Sequence, residues 1–409
     1  MNCRHCGKEL THIFIDLGSS PPSNSYITKS AKMMPEKWYP LKVLVCDGCW
    51  LVQTDDFVGA AEMFSDDYAY FSSFSSSWLD HVRAYVDNVE LRFQLNNQSN
   101  IVEIAANDGY LLQFVKEKNI PCYGVEPTHS TATRARDKGI EIIEDFFGDQ
   151  KAVELVKQGR QADLIVANNV LAHVPDINDF IKGFTTLLKV EGVATFEFPH
   201  LLNLVLYNQF DTIYHEHYSY LSLTAVLRIF ETNGLSVFDV EEISTHGGSL
   251  RIYAQRNDTG KQPISNAVNA LKTQEQIVGI KTLEYYQGFQ NKADKIKTDL
   301  LNFLLQAKKE GKKVAAYGAA AKGNTLINFS GIRKDLLSYV VDKNPSKQGK
   351  YMPGSHIPIL SEIDLTLRKP DYILVLPWNI ADEVIEQNIG LVKAGVKFVV
   401  AVPQLKVIA

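Results

Sequence analysis

A chain of 409 residues is too long for one ordinary core, so two or three domains are expected. With 45% hydrophobic and 22% charged residues the composition is that of a soluble globular protein. The net charge of −5 argues against a nucleic-acid binder, no apolar run approaches the roughly 20 residues that cross a bilayer, and the start MNCRHCGKEL lacks a signal peptide's apolar core, so a cytoplasmic protein is expected.

Four of the five cysteines form two pairs, Cys3-x-x-Cys6 and Cys46-x-x-Cys49. Each C-x-x-C turn lets two thiolates meet one metal, and two such turns complete a tetrahedral zinc site with no open position, hence a structural one. Two disulfides fit poorly without a secretory signal, and a redox dithiol needs only one pair. Cys122 sits in an apolar stretch and reads as a small strand residue. The hydroxyl-rich and aromatic run Asp67–Ser77 that follows the cysteines is either a lining for a polar ligand or a solvated linker.

The stretch Ile101–Leu112 runs from an apolar strand through the turn Asn107-Asp108-Gly109 into a helical pattern, the opening unit of a doubly wound fold. A second strand ends at Glu126, where an acid can accept from ribose hydroxyls. A dinucleotide asks for G-x-G-x-x-G, but this turn has one glycine and an aspartate that repels a diphosphate. S-adenosylmethionine, cationic and without phosphate, suits it better. Glu103, Asn107, Gly109 and Glu126 are therefore expected at the donor. Asp145 and Phe146 are expected at its adenine, and Asn168 at the end of the strand beginning at Asp163. For these last segments a capped turn and an ordinary buried strand are the plain alternatives.

Tyr214-His-Glu-His-Tyr-Ser-Tyr220 crowds imidazole, carboxyl and phenol groups together, and a Glu beside a His can orient an imidazole base whether the segment is helical or extended. His173 follows the strand that ends near Asn168. A metal held by His-x-His and a satisfied loop histidine are the competing readings.

Apolar residues at helical spacing run from Ile264 to about Lys309. A second strand-turn-helix unit then begins at Lys313, with Gly318, Lys322 and Gly323 in its turn, either a phosphate cradle or a packing turn. Strands are expected at Leu337–Asp342, Asp371–Leu376 and Lys397–Val402. The expected architecture is α/β: a zinc-binding module at 1–75, a central class I, Rossmann-like methyltransferase domain at 76–258, a helical connector at 259–310 and a smaller Rossmann-like domain at 311–409.

With the cysteine pairs, Tyr68–Ser73, Glu103…Asn107-Asp-Gly109, Asn169–Pro175, Tyr214–His217, His246–Arg251 and Tyr317–Thr325 in order along the chain, the sequence resembles the nucleotide-sugar C-methyltransferases that build branched deoxysugars, including the sugar 3-C-methyltransferases. The resemblance implies a cleft holding a nucleotide-diphosphate 4-keto-6-deoxy sugar, methylated on the carbon next to the ketone (C3) through an enolate. It implies His217 as general base with Tyr214 and Glu216 beside it, and Tyr68 and His173 at the reacting sugar. It assigns Tyr70, Ser72, Asn169, His246, Arg251, Lys322 and Asn324 to the substrate. O- or N-methylation of another small polar molecule, and a zinc-ribbon ligand-binding protein without turnover, are the alternatives.

Overall fold

A computed structural model describes residues 1–55, 57 and 71–408. Tyr68 and Tyr70 lie outside the described residues.

The chain opens with three antiparallel strands, β1 (His12–Ser20), β2 (Tyr39–Val45) and β3 (Val52–Thr54), around the cysteine turns. Helix Ser76–Phe93 follows, capped by the Ser75 side chain accepting from the Trp78 N–H. The strands β4 (Ile101–Ile104), β5 (Cys122–Val125), β6 (Ile142–Ile143), β7 (Ala162–Asn168) and β8 (Leu188–Pro199) come next. They are followed by β9 (Ser219–Tyr220), β10 (Leu235–Ile243) and β11 (Ser249–Arg256).

Among the described residues, β10-β11-β8-β7-β4-β5-β6 form one seven-stranded sheet, with β4 through β8 parallel and β10 and β11 antiparallel at one edge. The near-unbroken apolar runs of β4 and β7 suit a sheet buried on both faces. Strand order reverses between β4 and β7, so a crevice opens beyond their carboxyl ends.

β9 departs from this sheet. It pairs with β3, Val52 opposite Tyr220 and Gln53 opposite Ser219, and so completes the N-terminal sheet β1-β2-β3-β9. The segment carrying Tyr214–His217 is therefore delivered to the zinc-bearing module, across the boundary expected at residue 75. Cores are shared accordingly: Cys3, Cys46 and Cys49 pack in one apolar cluster with Leu221, Leu223 and the central sheet.

The expected helical span from Ile264 is two helices, Asn266–Ile277 and Phe289–Lys309, interrupted where Gly279 and Gly288 take φ of 83° and 78°. The last sheet comprises β12 (Val314–Tyr317), β13 (Val340–Val341), β14 (Ile359–Leu360), β15 (Tyr372–Val375), β16 (Lys397–Val400) and β17 (Lys406–Val407). Their order is β14-β13-β12-β15-β16-β17, parallel except at β17, which is the second Rossmann-like sheet.

Candidate active site and zinc centre

The four cysteine sulfurs lie within 4.8 Å of one another. Cys3 and Cys49 are 3.5 Å apart, as are Cys6 and Cys46. A disulfide requires about 2.0 Å, whereas tetrahedral Zn–S bonds of about 2.3 Å separate sulfurs by about 3.8 Å. Gln53 Nε2 donates to Cys3 Sγ at 3.2 Å and the Gly48 N–H to Cys46 Sγ at 3.4 Å, bonds that favour thiolates. All four ligands come from protein, so the zinc is structural.

A cavity of about 580 Å³ opens at the carboxyl ends of the central strands. Its wall includes the expected donor residues Asn107, Glu126, Asp145, Phe146 and Asn168, with Ser72, expected at the substrate, bonded to Asn107. Glu126 braces the turn after β4: it accepts from the N–H of Asn107 at 2.9 Å and of Thr128 at 3.0 Å, and from the Thr131 hydroxyl at 3.0 Å. Asn107 Oδ1 accepts from the Ser72 N–H at 3.0 Å. Phe146 stands half-exposed on the wall, available to a planar ring. Asn168 is 6% exposed, yet among the described residues neither its Oδ1 nor its Nδ2 has a hydrogen-bond partner. A buried carboxamide left this way is costly unless a ligand satisfies it, so the donor set fits an adenosyl group bearing both donors and acceptors.

Glu103 and Gly109 do not reach the wall. Glu103 lies wholly buried, and burial pushes its carboxyl well above the usual range against the pull of Tyr110. Gly109, at φ +70°, packs where a Cβ would meet Ile140 Cδ1 at 2.4 Å. Asp108, credited in the sequence with facing the cationic donor, is buried 3.7 Å from Lys138.

The same cavity is lined by Tyr214, Glu216, His217, His173, Asn169, His246, Lys322 and three residues no motif had marked, Asn24, Trp78 and Lys347. Residues 214–217 are neither helix nor strand but a turn closed by the His217 N–H on the Tyr214 carbonyl at 2.9 Å. His217 Nδ1 is 2.9 Å from the Thr212 carbonyl. A carbonyl only accepts, so Nδ1 carries the proton and Nε2 is left as the basic nitrogen. Burial, with His173 beside it, holds His217 well below its usual pKa. The His173 ring is 4.6 Å away and the Tyr214 ring 4.0 Å. Burial brings both His173 and His246 down to about 4.

The expectation that Glu216 orients the imidazole is corrected here. Its carboxylate accepts from Asn24 Nδ2 at 2.6 Å, while the Thr212 carbonyl orients His217. Burial raises Glu216 to about 7, against the pull of Asn24 and Lys347. His215 turns away: its Nε2 faces the carbonyls of Tyr39 and Pro40 at 3.3 and 3.2 Å, so the His-x-His pair does not converge on a metal.

Lys322 reaches the cavity at the start of helix Ala321–Ser330, with Nζ donating to Asn379 Oδ1 at 2.7 Å and lying 4.5 Å over the Trp378 ring. The flanking glycines serve packing: Cβ atoms would meet Pro377 Cδ at 2.6 Å from Gly318 and Leu376 Cβ at 2.8 Å from Gly323. Two residues assigned to the substrate lie off the wall. Arg251 is buried in ion pairs with Glu197 and Glu241, both at 3.0 Å, and Asn324 donates to the Ser23 carbonyl at 2.5 Å.

Family models match three consecutive stretches: a zinc binding domain over residues 3–64, a methyltransferase domain over 78–240, and a C-methyltransferase C-terminal domain over 244–403. The chain is 32% identical over 407 residues to the C-methyltransferase NovU of Streptomyces niveus, spanning 100% of this chain and 96% of that one. Among solved structures, the magnesium protoporphyrin IX methyltransferase of Synechocystis aligns at 16% identity over 44% of this chain and 77% of its own, with a TM-score of 0.33. The PH0226 protein of Pyrococcus horikoshii aligns at 12% identity over 46% of this chain and 95% of its own, with a TM-score of 0.37.

Proposed function

The chain belongs to the zinc-bearing, S-adenosylmethionine-dependent C-methyltransferases, and from that premise we propose that its acceptor is a nucleotide-linked 4-keto-6-deoxy sugar, methylated at C3. S-adenosylmethionine, when bound, supplies an electrophilic methyl group on a sulfonium. What this chain must supply is a carbon nucleophile, and carbon becomes one only when a neighbouring carbonyl takes up charge as an enolate.

The observation that carries the reading is His217: a buried imidazole whose Nδ1–H is spent on the Thr212 carbonyl, leaving Nε2 to take a proton, on the wall of the cavity that also holds Asn168 and Glu126. His217 removes the proton α to the ketone. A wall hydroxyl such as that of Tyr214 suits the developing enolate oxygen, since His173, neutral and beside the base, has its one N–H on the Glu216 backbone carbonyl. A positioned base is worth on the order of 10²–10⁴ in rate and an oxyanion donor on the order of 10²–10³. Lys322, at a helix start on the same cavity, suits the diphosphate. Asn169 and His246, on the wall between, suit the sugar.

The test is a mass-spectrometric screen of 4-keto-6-deoxy sugar nucleotides with the methyl donor, scoring the gain of one methyl. In deuterated water the enolate route predicts solvent exchange at the α carbon before transfer. Methylation of oxygen or nitrogen, with no exchange, would overturn it.

A further inference from the structure

Glu216 is almost wholly buried on the cavity wall, one residue from the base, and the group that meets its carboxylate comes from another module. Asn24 belongs to the loop between β1 and β2, yet its side chain reaches the cavity and its Nδ2 donates to Glu216 Oε2 at 2.6 Å. Its Oδ1 lies 3.3 Å from the Tyr26 hydroxyl, which donates to the Ala319 carbonyl at 2.5 Å. The backbone is tied on both sides: the Ser23 carbonyl accepts from Asn324, and Ile27 bridges to Tyr351. The carboxamide is thus held with its donor on the carboxylate and its acceptor toward a hydroxyl.

We propose that Asn24 is a positioning residue for Glu216, fixing the carboxylate in the cavity so that a loop of the zinc-bearing module completes the active site. It rests on the reading above with one step added: the ionised Glu216 carboxylate, next in sequence to His217, supports electrostatically the imidazolium formed when that base takes its proton. Among the described residues, the charged and titratable groups around Glu216 are few. Lys347 acts on it from the loop after β13, but its Nζ also donates to the Ala319 carbonyl at 2.8 Å and lies 3.6 Å from Asp342. Tyr26 faces it from the N-terminal module, and His173 meets the Glu216 backbone. Burial favours the neutral acid, and the Asn24 N–H is the leading interaction favouring the carboxylate. Without Asn24, Glu216 binds its proton more tightly and its side chain is free to turn.

The experiment uses the full-length, zinc-loaded protein and the variants Asn24→Ala, Asn24→Asp and Glu216→Gln. The Glu216 carboxyl is followed by the infrared C=O stretch that vanishes in Glu216→Gln. Its titration should move upward by about one pH unit in Asn24→Ala and further in Asn24→Asp, which sets a second carboxylate against it. The acid limb of the kcat profile should move with it, so that Asn24→Ala loses about fivefold at pH 7 and recovers at higher pH. Asn24→Ala combined with Glu216→Gln should be no slower than Glu216→Gln alone. An unmoved carboxyl titration, a loss equal at every pH, or a double variant far slower than Glu216→Gln overturns the proposal. Zinc content and S-adenosylhomocysteine binding check that each variant is folded. If the wild type methylates no 4-keto sugar nucleotide, the substrate reading fails, while the infrared titration still decides the role of Asn24.

Discussion

The Thr54 hydroxyl donates to the His217 carbonyl at 3.1 Å, and the Thr54 N–H meets the carbonyl of the next residue, Tyr218, at the same distance. The contact runs on to the metal. Arg4 donates through its side chain to the Thr54 carbonyl at 3.0 Å and through its backbone to Gln53 Oε1 at 2.9 Å, and Gln53 Nε2 touches Cys3 Sγ. The zinc turn and the turn bearing the proposed base are thus joined by hydrogen bonds through β3. Removing zinc should abolish methyl transfer in proportion to the metal lost while sparing donor binding. Thr54→Val, losing the hydroxyl donor alone, should cost roughly 1 kcal/mol of stability and lower kcat. Full turnover by metal-stripped protein, measured beside its zinc content, would show the two sites to be independent.

His217→Asn should lower kcat by about 10²–10⁴ and leave the Kd for S-adenosylhomocysteine unchanged, because the groups packed on that ring are His173, Tyr214, Tyr220 and the Thr212 carbonyl. The pH dependence follows from the direction of the shift. Burial holds His217 below its ordinary 6.5 in the folded state, so it stays neutral through neutral pH and rate is not lost there by protonating it. In the unfolded chain the same imidazole takes a proton near 6.5, as do His173 and His246, which sit at about 4 when folded. The imidazoles' contribution to stability is therefore complete above about pH 6.5 and is lost as pH drops toward 4, opposed by Glu216, Glu103 and Asp211, whose raised carboxyls favour the folded state over the same drop. Thermal melts should show that loss as a fall of the wild type relative to His173→Phe. A gap between the wild-type and His173→Phe melting temperatures that does not change from pH 7 to 5 would be incompatible with a buried neutral imidazole at position 173.

Arg251 belongs to the sheet. It bridges Glu197 on β8, wholly buried, and Glu241 on β10, with the His81 ring and the Tyr85 face against its guanidinium. Breaking a buried pair by deleting one partner strands the other charge, at a cost of about 3–5 kcal/mol. Arg251→Ala should show that loss in chemical denaturation, whereas Arg251→Lys, if folded, should keep the KM for the sugar nucleotide. A raised KM with unaltered stability would return Arg251 to the substrate.

Features written in consecutive residues were the legible ones. The cysteine turns, the strand-turn-helix at Ile101–Glu117 and the acid ending β5 are local patterns, and the fold sets them at the zinc site and the crevice. What was not legible depends on chain crossing. Nothing near Asn24 signals that its loop meets Glu216 across 192 positions, nor that Ser219–Tyr220 leaves the central sheet for β3. The role of Glu216 was misread for the same reason. Helix and strand were the faces weighed, while the segment is a turn, which sends the carboxylate toward Asn24 and the imidazole toward Thr212. Lys347 and Trp78, far apart in sequence, reach the cavity only through the packing of their domains.

Asn168 offers the sharpest test of the donor site. Its side chain is buried at the end of β7 with both polar atoms unmatched among the described residues, so the free protein gains little from them. Asn168→Ala removes two groups that are already unsatisfied, and the variant should be as stable as the wild type or slightly more so. If the donor satisfies them, the same substitution forfeits one or two hydrogen bonds on binding, about 1–3 kcal/mol, or roughly 5- to 150-fold in Kd for S-adenosylhomocysteine. Calorimetric titration set beside a thermal melt reads both quantities on one sample. Weaker binding with undiminished stability marks Asn168 as a donor ligand; a fall in stability with unchanged affinity would make it an ordinary strand-end residue.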